Sequence, residues 1–342
     1  MKQKTLLDEE NRLELLSQLG DPLEILNRVI KWEKFRSVLN QGSRKEDTGK
    51  GGRPSYDVVM MFKILVLQRL YNLSDDQTEY QINDRMSFMR FLGINLCEKV
   101  PDAKTIWKFK NDLAETETET VDKLFCMFDE HLENKGLISH KGTIVDATFV
   151  DAPRQRNSRD ENKKIKNGVI PEEWEKPENK SKLAQKDIDA DWTKKNGERH
   201  FGYKDHVKCD ADSKLITNYS VTSASVHDSQ RCLVFIGQED EVLYADSAYS
   251  GKPIALALPE NCKNQICEKG YRNSPLTSEQ KMNNRRKSRI RCRIEHIFGF
   301  MTGAMHGITI RSIGITRAWM NIGITNLVYN FCRYSYLKRT SA

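Results

Sequence analysis

Apolar positions recur at helical spacing through the first 140 residues, then gather into short β-branched stretches. From Tyr56 to Leu70, the residues Val58, Phe62, Leu65, Val66 and Leu70 fall three or four positions apart and predict a helix. Arg53-Pro54-Ser55 supplies a start signal, because proline fits a first turn and serine can cap it. Ser74-Asp75-Asp76-Gln77 has the form of a capping box and predicts a second, short helix. Asp102 to Trp107 opens a third, and Val121, Leu124, Phe125, Phe128 and Leu132 form the stripe of a fourth that ends near Gly136. These helices carry Arg85, Arg90, Lys104, Lys108 and Lys110. They fit a helix-turn-helix and a bundle with a solvated polar face equally well.

At residue 143 the texture changes. Thr143 to Val150 is rich in β-branched residues and predicts a strand. Pro153 to Asn196 is lysine-rich with little apolar content and reads as an exposed insertion or loop. Strand texture resumes at His206–Cys209 and Leu215–Val221, with Asp210–Lys214 as a hairpin turn. A helix after His227-Asp228, a strand Glu241–Ser247, a helix Lys252–Leu258 and a strand Gln265–Cys267 follow. One long helix from Ser278 to Thr302 buries Ile290, Ile294, Ile297, Phe298 and Met301, and an amphipathic helix from Thr316 to Tyr336 ends the pattern. This order fits a mixed α/β sheet flanked by helices.

With 342 residues the chain has room for a large domain and a smaller one. Its formal net charge of +7 is compatible with a polyanionic partner without establishing one. The eight cysteines are scattered singly with no Cys-x-x-Cys pair, which disfavours a zinc site and fits free thiols in a reducing compartment. The N-terminal residues lack an apolar core of signal-peptide length, and no apolar run approaches the roughly 20 residues that span a bilayer. A soluble, cytoplasmic protein is expected.

Three acidic residues stand out. Asp146 lies inside the apolar strand Ile144-Val145-Asp146-Ala147-Thr148, and Asp246 lies late in Leu243-Tyr244-Ala245-Asp246-Ser247. A carboxylate buried unpaired in such a strand costs several kcal/mol, so it needs a cation or a strong donor set. Two strands of this kind, lying side by side, aim both carboxylates at one point, and hard oxygen ligands suit Mg²⁺ or Mn²⁺. Taken singly, each aspartate equally fits a strand end that caps a turn. The third acid, Glu295, sits in a helix crowded by Lys281, Arg285, Arg286, Lys287, Arg289, Arg291 and Arg293. Those cations fit either a solvated face, with Arg291 and Glu295 as an i,i+4 pair, or a surface for DNA phosphates.

Taken in order, a series of motifs runs through most of the length: Gly52 to Leu65, Tyr80 to Gly93, Pro101 to Trp107, Ile144 to Thr148, Asp191 to Lys195, Phe201-Gly-Tyr-Lys-Asp-His206, Val226-His-Asp228, Ala245-Asp-Ser-Ala-Tyr249 and Arg291 to Gly299. In this order and spacing the chain resembles the DDE transposases of bacterial insertion sequences, close to the insertion-sequence-5 family within the broader insertion-sequence-4-like group. The resemblance implies an N-terminal, all-helical region over 1–140 for DNA-end binding and dimerisation. It implies an RNase H-like catalytic core over 141–340, with the charged insertion over 153–200. By position Asp146, Asp246 and Glu295 become the catalytic, metal-holding triad, with two Mg²⁺ (or Mn²⁺) ions about 3.5–4 Å apart.

Arg291 takes the place of a phosphate-holding arginine, with Arg285, Arg286, Lys287, Arg289 and Arg293 as further DNA contacts. Of the group's Tyr-x₂-Arg-x₃-Glu-x₆-Lys signature, Arg291 and Glu295 match, while Ser288 and Thr302 stand where tyrosine and lysine would. The expected partners are double-stranded DNA and a second protomer. Competing readings are an inactive, transposase-derived regulator and a nuclease that cuts without joining. His206, His227 and His296 read as packed or surface histidines.

Overall fold

The computed structural model describes residues 8–43, 55–115, 119–155, 157–195 and 197–340. Its packing divides the chain into two compact units, Met1–Cys126 with Leu327–Ala342, and Met127–Asn326.

The first unit is helical, with α1 (Asp8–Gln18), α2 (Pro22–Val29), α3 (Arg36–Gly42), α4 (Val58–Leu70), α5 (Asp75–Asp84), α6 (Met86–Leu92), α7 (Ala103–Glu115) and the start of α8 (Thr120–Glu133). α4 is capped later than its sequence suggests: the Asp57 carboxylate accepts the N–H groups of Val59 and Met60, at 3.0 Å each. Arg53 and Pro54 of the expected start lie outside the described residues. The capping box at Ser74 forms as expected, with Ser74 and Gln77 bonded reciprocally.

α4 buries more than one face, because Met61, Ile64 and Leu67 are buried along with Phe62, Leu65 and Val66. Beside it Trp32 meets Phe91 and Phe331 edge-on, at 5.4 and 5.5 Å between ring centroids. Three of the five noted cations serve this unit's own structure. Arg90 pairs with Asp21, Lys110 with Asp75, and Arg85 lies over Tyr71 and Phe88. Lys104 and Lys108 are exposed.

The second unit is built on β1 (Thr143–Asp151). After it come α9 (Arg159–Lys166), α10 (Glu172–Glu175), α11 (Lys180–Ala184), β2 (Asp191–Lys195), β3 (Glu198–Asp210), β4 (Ile216–Ser223), α12 (Ser229–Phe235), β5 (Val242–Tyr244), α13 (Lys252–Ala257) and β6 (Lys263–Asn264). α14 (Ser278–Arg291), α15 (Arg293–Gly303) and α16 (Ile315–Thr340) complete the chain. The sheet runs β2-β3-β1-β5-β6, with β4 also on β3. β1, β3 and β4 are antiparallel neighbours, whereas β5 and β6 join in parallel on the other side of β1. This is the mixed sheet flanked by helices that the sequence led us to expect.

Gly202 makes the β1–β3 join close. It has φ +147 and faces Asp151, and a Cβ there would run into the backbone of Val150 and Ala152. Asp210 builds the β3–β4 turn. Its carboxylate accepts the N–H groups of Asp212, Ser213 and Ser139 and the hydroxyls of Ser213 and Ser139.

Three expectations need correction. The segment Pro153 to Asn196 is an insertion between β1 and β3 but not a bare loop. It holds α9–α11 and β2, and Trp174 is fully buried with its Nε1 donating to Glu161 at 2.9 Å. The helix read as continuous from Ser278 to Thr302 breaks at Cys292, where Glu295 N–H donates to the Cys292 carbonyl three residues back. The strand expected over Glu241–Ser247 stops at Tyr244, because Asp246 turns the chain into a 3₁₀ turn, Ser247–Tyr249. α16 itself is divided between the units, its end from Leu327 onward belonging to the first. Within α16, Asn326 donates to Asp205 while Phe331 packs on Trp32, so one helix serves two cores.

Candidate active site

The register of two strands brings the first two acids together. β1 and β5 pair in parallel with Thr143 opposite Leu243 and Ile144 opposite Tyr244. Two residues further along each chain stand Asp146 and Asp246, at the end of the sheet where the parallel pairing stops. Val145, Leu243 and Ala245 sit in one buried cluster with Phe235, Tyr249 and Ile254, which anchors both strands beneath the acids. Asp246 caps the 3₁₀ turn by accepting the Ala248 N–H at 2.7 Å, and Asp146 accepts that of Ala147 at 2.8 Å. The turn-capping reading of Asp246 is therefore true, and it is compatible with a site beside Asp146.

Glu295 reaches the pair through an arginine. Arg291 Nη1 lies 2.8 Å from Asp146 Oδ2, and its Nη2 lies 3.2 Å from Glu295 Oε1. The Asp146 and Arg291 side chains are 14% and 20% exposed, whereas Glu295 is 60% exposed, so the site opens towards solvent on the α15 side. Burial pushes the Asp146 carboxyl up to about 6, and the like charge of Asp246 adds to this. The Ala147 N–H and Arg291 hold it down in part. Such a carboxylate is short of positive charge.

Two hard carboxylates on adjoining strands, one of them raised by burial, form a donor set that fits a divalent cation of the Mg²⁺ or Mn²⁺ class. The three acids are not drawn into a closed shell. Among the described residues, the one trio of possible ligands within 4.8 Å of one another is His140, Glu239 and Asp240. Asp240 there is already paired with Lys208 at 2.8 Å and His140 with Glu133 at 3.3 Å.

The basic residues of α14 and α15 separate into two kinds. Lys287 donates to the Ile266 carbonyl at 2.9 Å, and Arg293 to the Ala211 carbonyl and the Asp212 carboxylate at 2.8 and 2.9 Å. Both hold the helices to the sheet. Arg285, Arg286 and Arg289 are exposed. Ser288, in the position of the signature tyrosine, lies 3.8 Å from Cys267 Sγ, and Thr302 bonds back to the Phe298 carbonyl.

Residue-by-residue reading of the sequence missed Lys204, Asp228 and Tyr249 around the acids. Lys204 pairs with Asp228 at 2.8 Å and donates to the Val226 carbonyl at 2.7 Å, which ties two of the quoted motifs together. Tyr249 is 1% exposed, and its hydroxyl has no hydrogen-bond partner among the described residues. Burial and the charges of Asp146, Asp228 and Asp246 push its phenol upward, which puts the hydroxyl within the field of all three carboxylates. The available signal was position alone, since each residue belongs to a motif that also holds an acid or a histidine. His206 is buried and shares a 2.8 Å hydrogen bond with Thr222, whereas His227 and His296 are exposed.

A transposase domain model (DUF772) matches residues 10–112, and the Transposase DDE domain model matches residues 138–331. Among solved structures, the chain is similar to a piggyBac transposase synaptic complex with hairpin DNA determined by cryo-EM. The match has a TM-score of 0.47 and 12% identity, and it covers 94% of this chain and 76% of that one. Because the DDE domain model spans more than half of the 342 residues, the chain belongs to the DDE transposase family.

Proposed function

We propose that this transposase, of insertion-sequence-5 type, hydrolyses a phosphodiester bond at each end of its element and joins the freed ends to target DNA. We assign both reactions to Asp146, Asp246 and Glu295. The observation that carries the reading is the parallel register of β1 and β5, which sets Asp146 beside Asp246, with Arg291 linking Asp146 to Glu295.

Asp146 and Asp246, with Glu295, would hold Mg²⁺ or Mn²⁺, two ions in our reading, and these would supply Lewis-acid stabilisation of charge on the phosphoryl oxygens. The rest falls to the chain's own groups. Arg291 offers a planar fork to the phosphate entering between the acids. Arg285, Arg286 and Arg289, exposed on α14, contribute sequence-independent affinity for the backbone. In the first step a water oxygen bonds to phosphorus and the bond to the 3′ oxygen breaks, leaving a 3′-hydroxyl. In the second step the oxygen of that hydroxyl bonds to the phosphorus of a target phosphodiester. The bond from that phosphorus to the target's own 3′ oxygen breaks and leaves a 3′-hydroxyl on the target strand, so the same constellation serves twice.

In the helical unit the exposed Lys104, Trp107 and Lys108 of α7 are the candidates for end recognition, since Arg85, Arg90 and Lys110 are engaged within that unit. Two protomers working in the cytoplasm would hold the two ends together. No described helix is long and apolar enough to cross a membrane.

A joining assay tests this reading: a pre-cut end with a free 3′-hydroxyl, supercoiled target plasmid and Mg²⁺ or Mn²⁺. Wild type gives end–plasmid products, while Asp146→Asn and Glu295→Gln bind the end without joining it. Cutting without joining would reduce the protein to a nuclease, and binding with neither reaction would make it a regulator.

A further inference from the structure

A cavity of about 640 Å³ lies between α9 and the edge formed by β2 and β3. Its lining is strongly cationic, with Arg159, Lys163 and Lys166 from α9, Lys194 from β2 and Arg199 from β3. All five are exposed, and none of their side chains has an ion-pair or hydrogen-bond partner among the described residues. Other lysines of the same insertion are engaged: Lys182 pairs with Glu161 at 3.4 Å, and Lys186 donates to Asn157 at 2.5 Å. The one carboxylate in the lining, Asp191, accepts the Trp192 N–H at 2.7 Å. Five cations facing one concavity repel each other unless an anion enters, and their spread over a helix and two strands suits a row of charges better than a single one.

The sheet fixes where this cavity lies relative to the acids. Asp151 is five residues beyond Asp146 on β1, about 17 Å at the rise of a strand. It faces Gly202 on β3, which faces Asp191 on β2 at the cavity wall. Two strand spacings of roughly 4.8 Å carry the wall sideways from Asp151, so Asp191 lies about 20 Å from Asp146, a little over half a turn of duplex DNA. We propose that this cavity is a second DNA-backbone site, which grips phosphates of the same duplex about half a turn from the bond being cut. This rests on the reading of Asp146, Asp246 and Glu295 as the cutting site. The insertion thus sets the angle and register of the DNA and reads no bases.

The test is the salt dependence of binding of the full-length protein to a 40-bp duplex, measured by fluorescence anisotropy. Three proteins are compared: wild type, Lys163→Ala/Lys194→Ala/Arg199→Ala, and the control Lys164→Ala/Lys176→Ala/Lys180→Ala. The control removes the same charge from the same insertion outside the cavity. Freeing one phosphate from its cation lowers the slope of log K against log salt by about 0.9. The cavity variant is expected to free about two phosphates and to bind at least tenfold more weakly at 0.1 M salt, with the control close to wild type. Charge reversal in Lys163→Glu/Arg199→Glu weakens binding further still.

Equal slopes in all three proteins, or equal weakening in cavity variant and control, overturn the proposal. Asp146→Asn, run alongside for cutting, keeps the two readings apart. If wild type cuts, Asp146→Asn does not and the cavity variant binds like wild type, then only the second site fails. If wild type does not cut under any metal, the reading of the acids fails, while the slopes still report on the cavity.

Discussion

Arg291 and Asp146 are separated by 145 residues in the chain, and their side chains meet at 2.8 Å. The contact joins the last residue of α14 to the middle of β1. The same guanidinium also holds Glu295, four residues on. A single arginine thus sets the spacing of two of the three acids and is itself only 20% exposed.

From this position Arg291→Ala should lower cleavage by about 10²-fold, the usual effect of removing one charge-stabilising donor. DNA affinity should change by less than about threefold. Arg291→Lys, which keeps the charge but not the fork, should fall between. Single-turnover cleavage and equilibrium binding, measured on the same duplex, decide the point. Equal losses in both would make Arg291 an ordinary backbone contact.

Asp205 predicts a pH dependence of stability. It is fully buried, accepts from Asn326 at 3.1 Å, and its carboxyl is pushed up to about 8 by burial. The folded protein keeps this proton while the unfolded chain gives it up near pH 4. The contribution is therefore fully present below about pH 4 and is lost as pH rises towards 8, by up to about 1.4 kcal/mol per pH unit. Urea unfolding at pH 5 and pH 8 should show wild type losing more stability than Asp205→Asn across that window. Parallel loss in both proteins would contradict it.

Asp210 should matter for folding. Five donors converge on its carboxylate at the β3–β4 turn, and the side chain is buried. Asp210→Ala strands these donors and should destabilise the protein by about 3 kcal/mol in denaturant titration. A change below about 0.5 kcal/mol would mean that the turn is held by β3 and β4 alone.

The lysine-rich insertion should resist trypsin in the native protein despite its composition. Trp174 fills its centre, between α9 and α11, with Lys182 and Lys186 over its ring at 5.5 and 5.3 Å. Trp174→Ala should open residues 157–190 to rapid cleavage while β1 and β3 stay protected. Rapid cleavage of wild type in the same segment would show that the insertion has no core of its own.

Much of this site was legible in the sequence because strands are local and regular. The apolar frames around Asp146 and Asp246 located two strands, and their pairing in the sheet keeps the offset of 100 seen between the two acids. The capping box at Ser74 was equally plain, since both partners lie within four residues. The break at Cys292 was not, because neither proline nor glycine marks it and the apolar stripe continues through Ile294 and Ile297. Trp174 gave no warning either: one aromatic among charges has no period, and its burial depends on partners brought in from α9 and α11. Which cations face solvent was also invisible, because Lys287 and Arg293 find their carbonyl partners at positions 266 and 211.

The central claim is that Asp146, Asp246 and Glu295 form a metal-dependent cutting site for the ends of this protein's own element. Labelled duplexes from both flanks of its gene, incubated with wild type and with Asp246→Asn in Mg²⁺ or Mn²⁺, test it directly. The account predicts nicking at one defined position in each flank, dependent on the metal and absent from the variant. Nicking that persists in Asp246→Asn, or wild-type protein that binds both flanks and cuts neither under either metal, would contradict it.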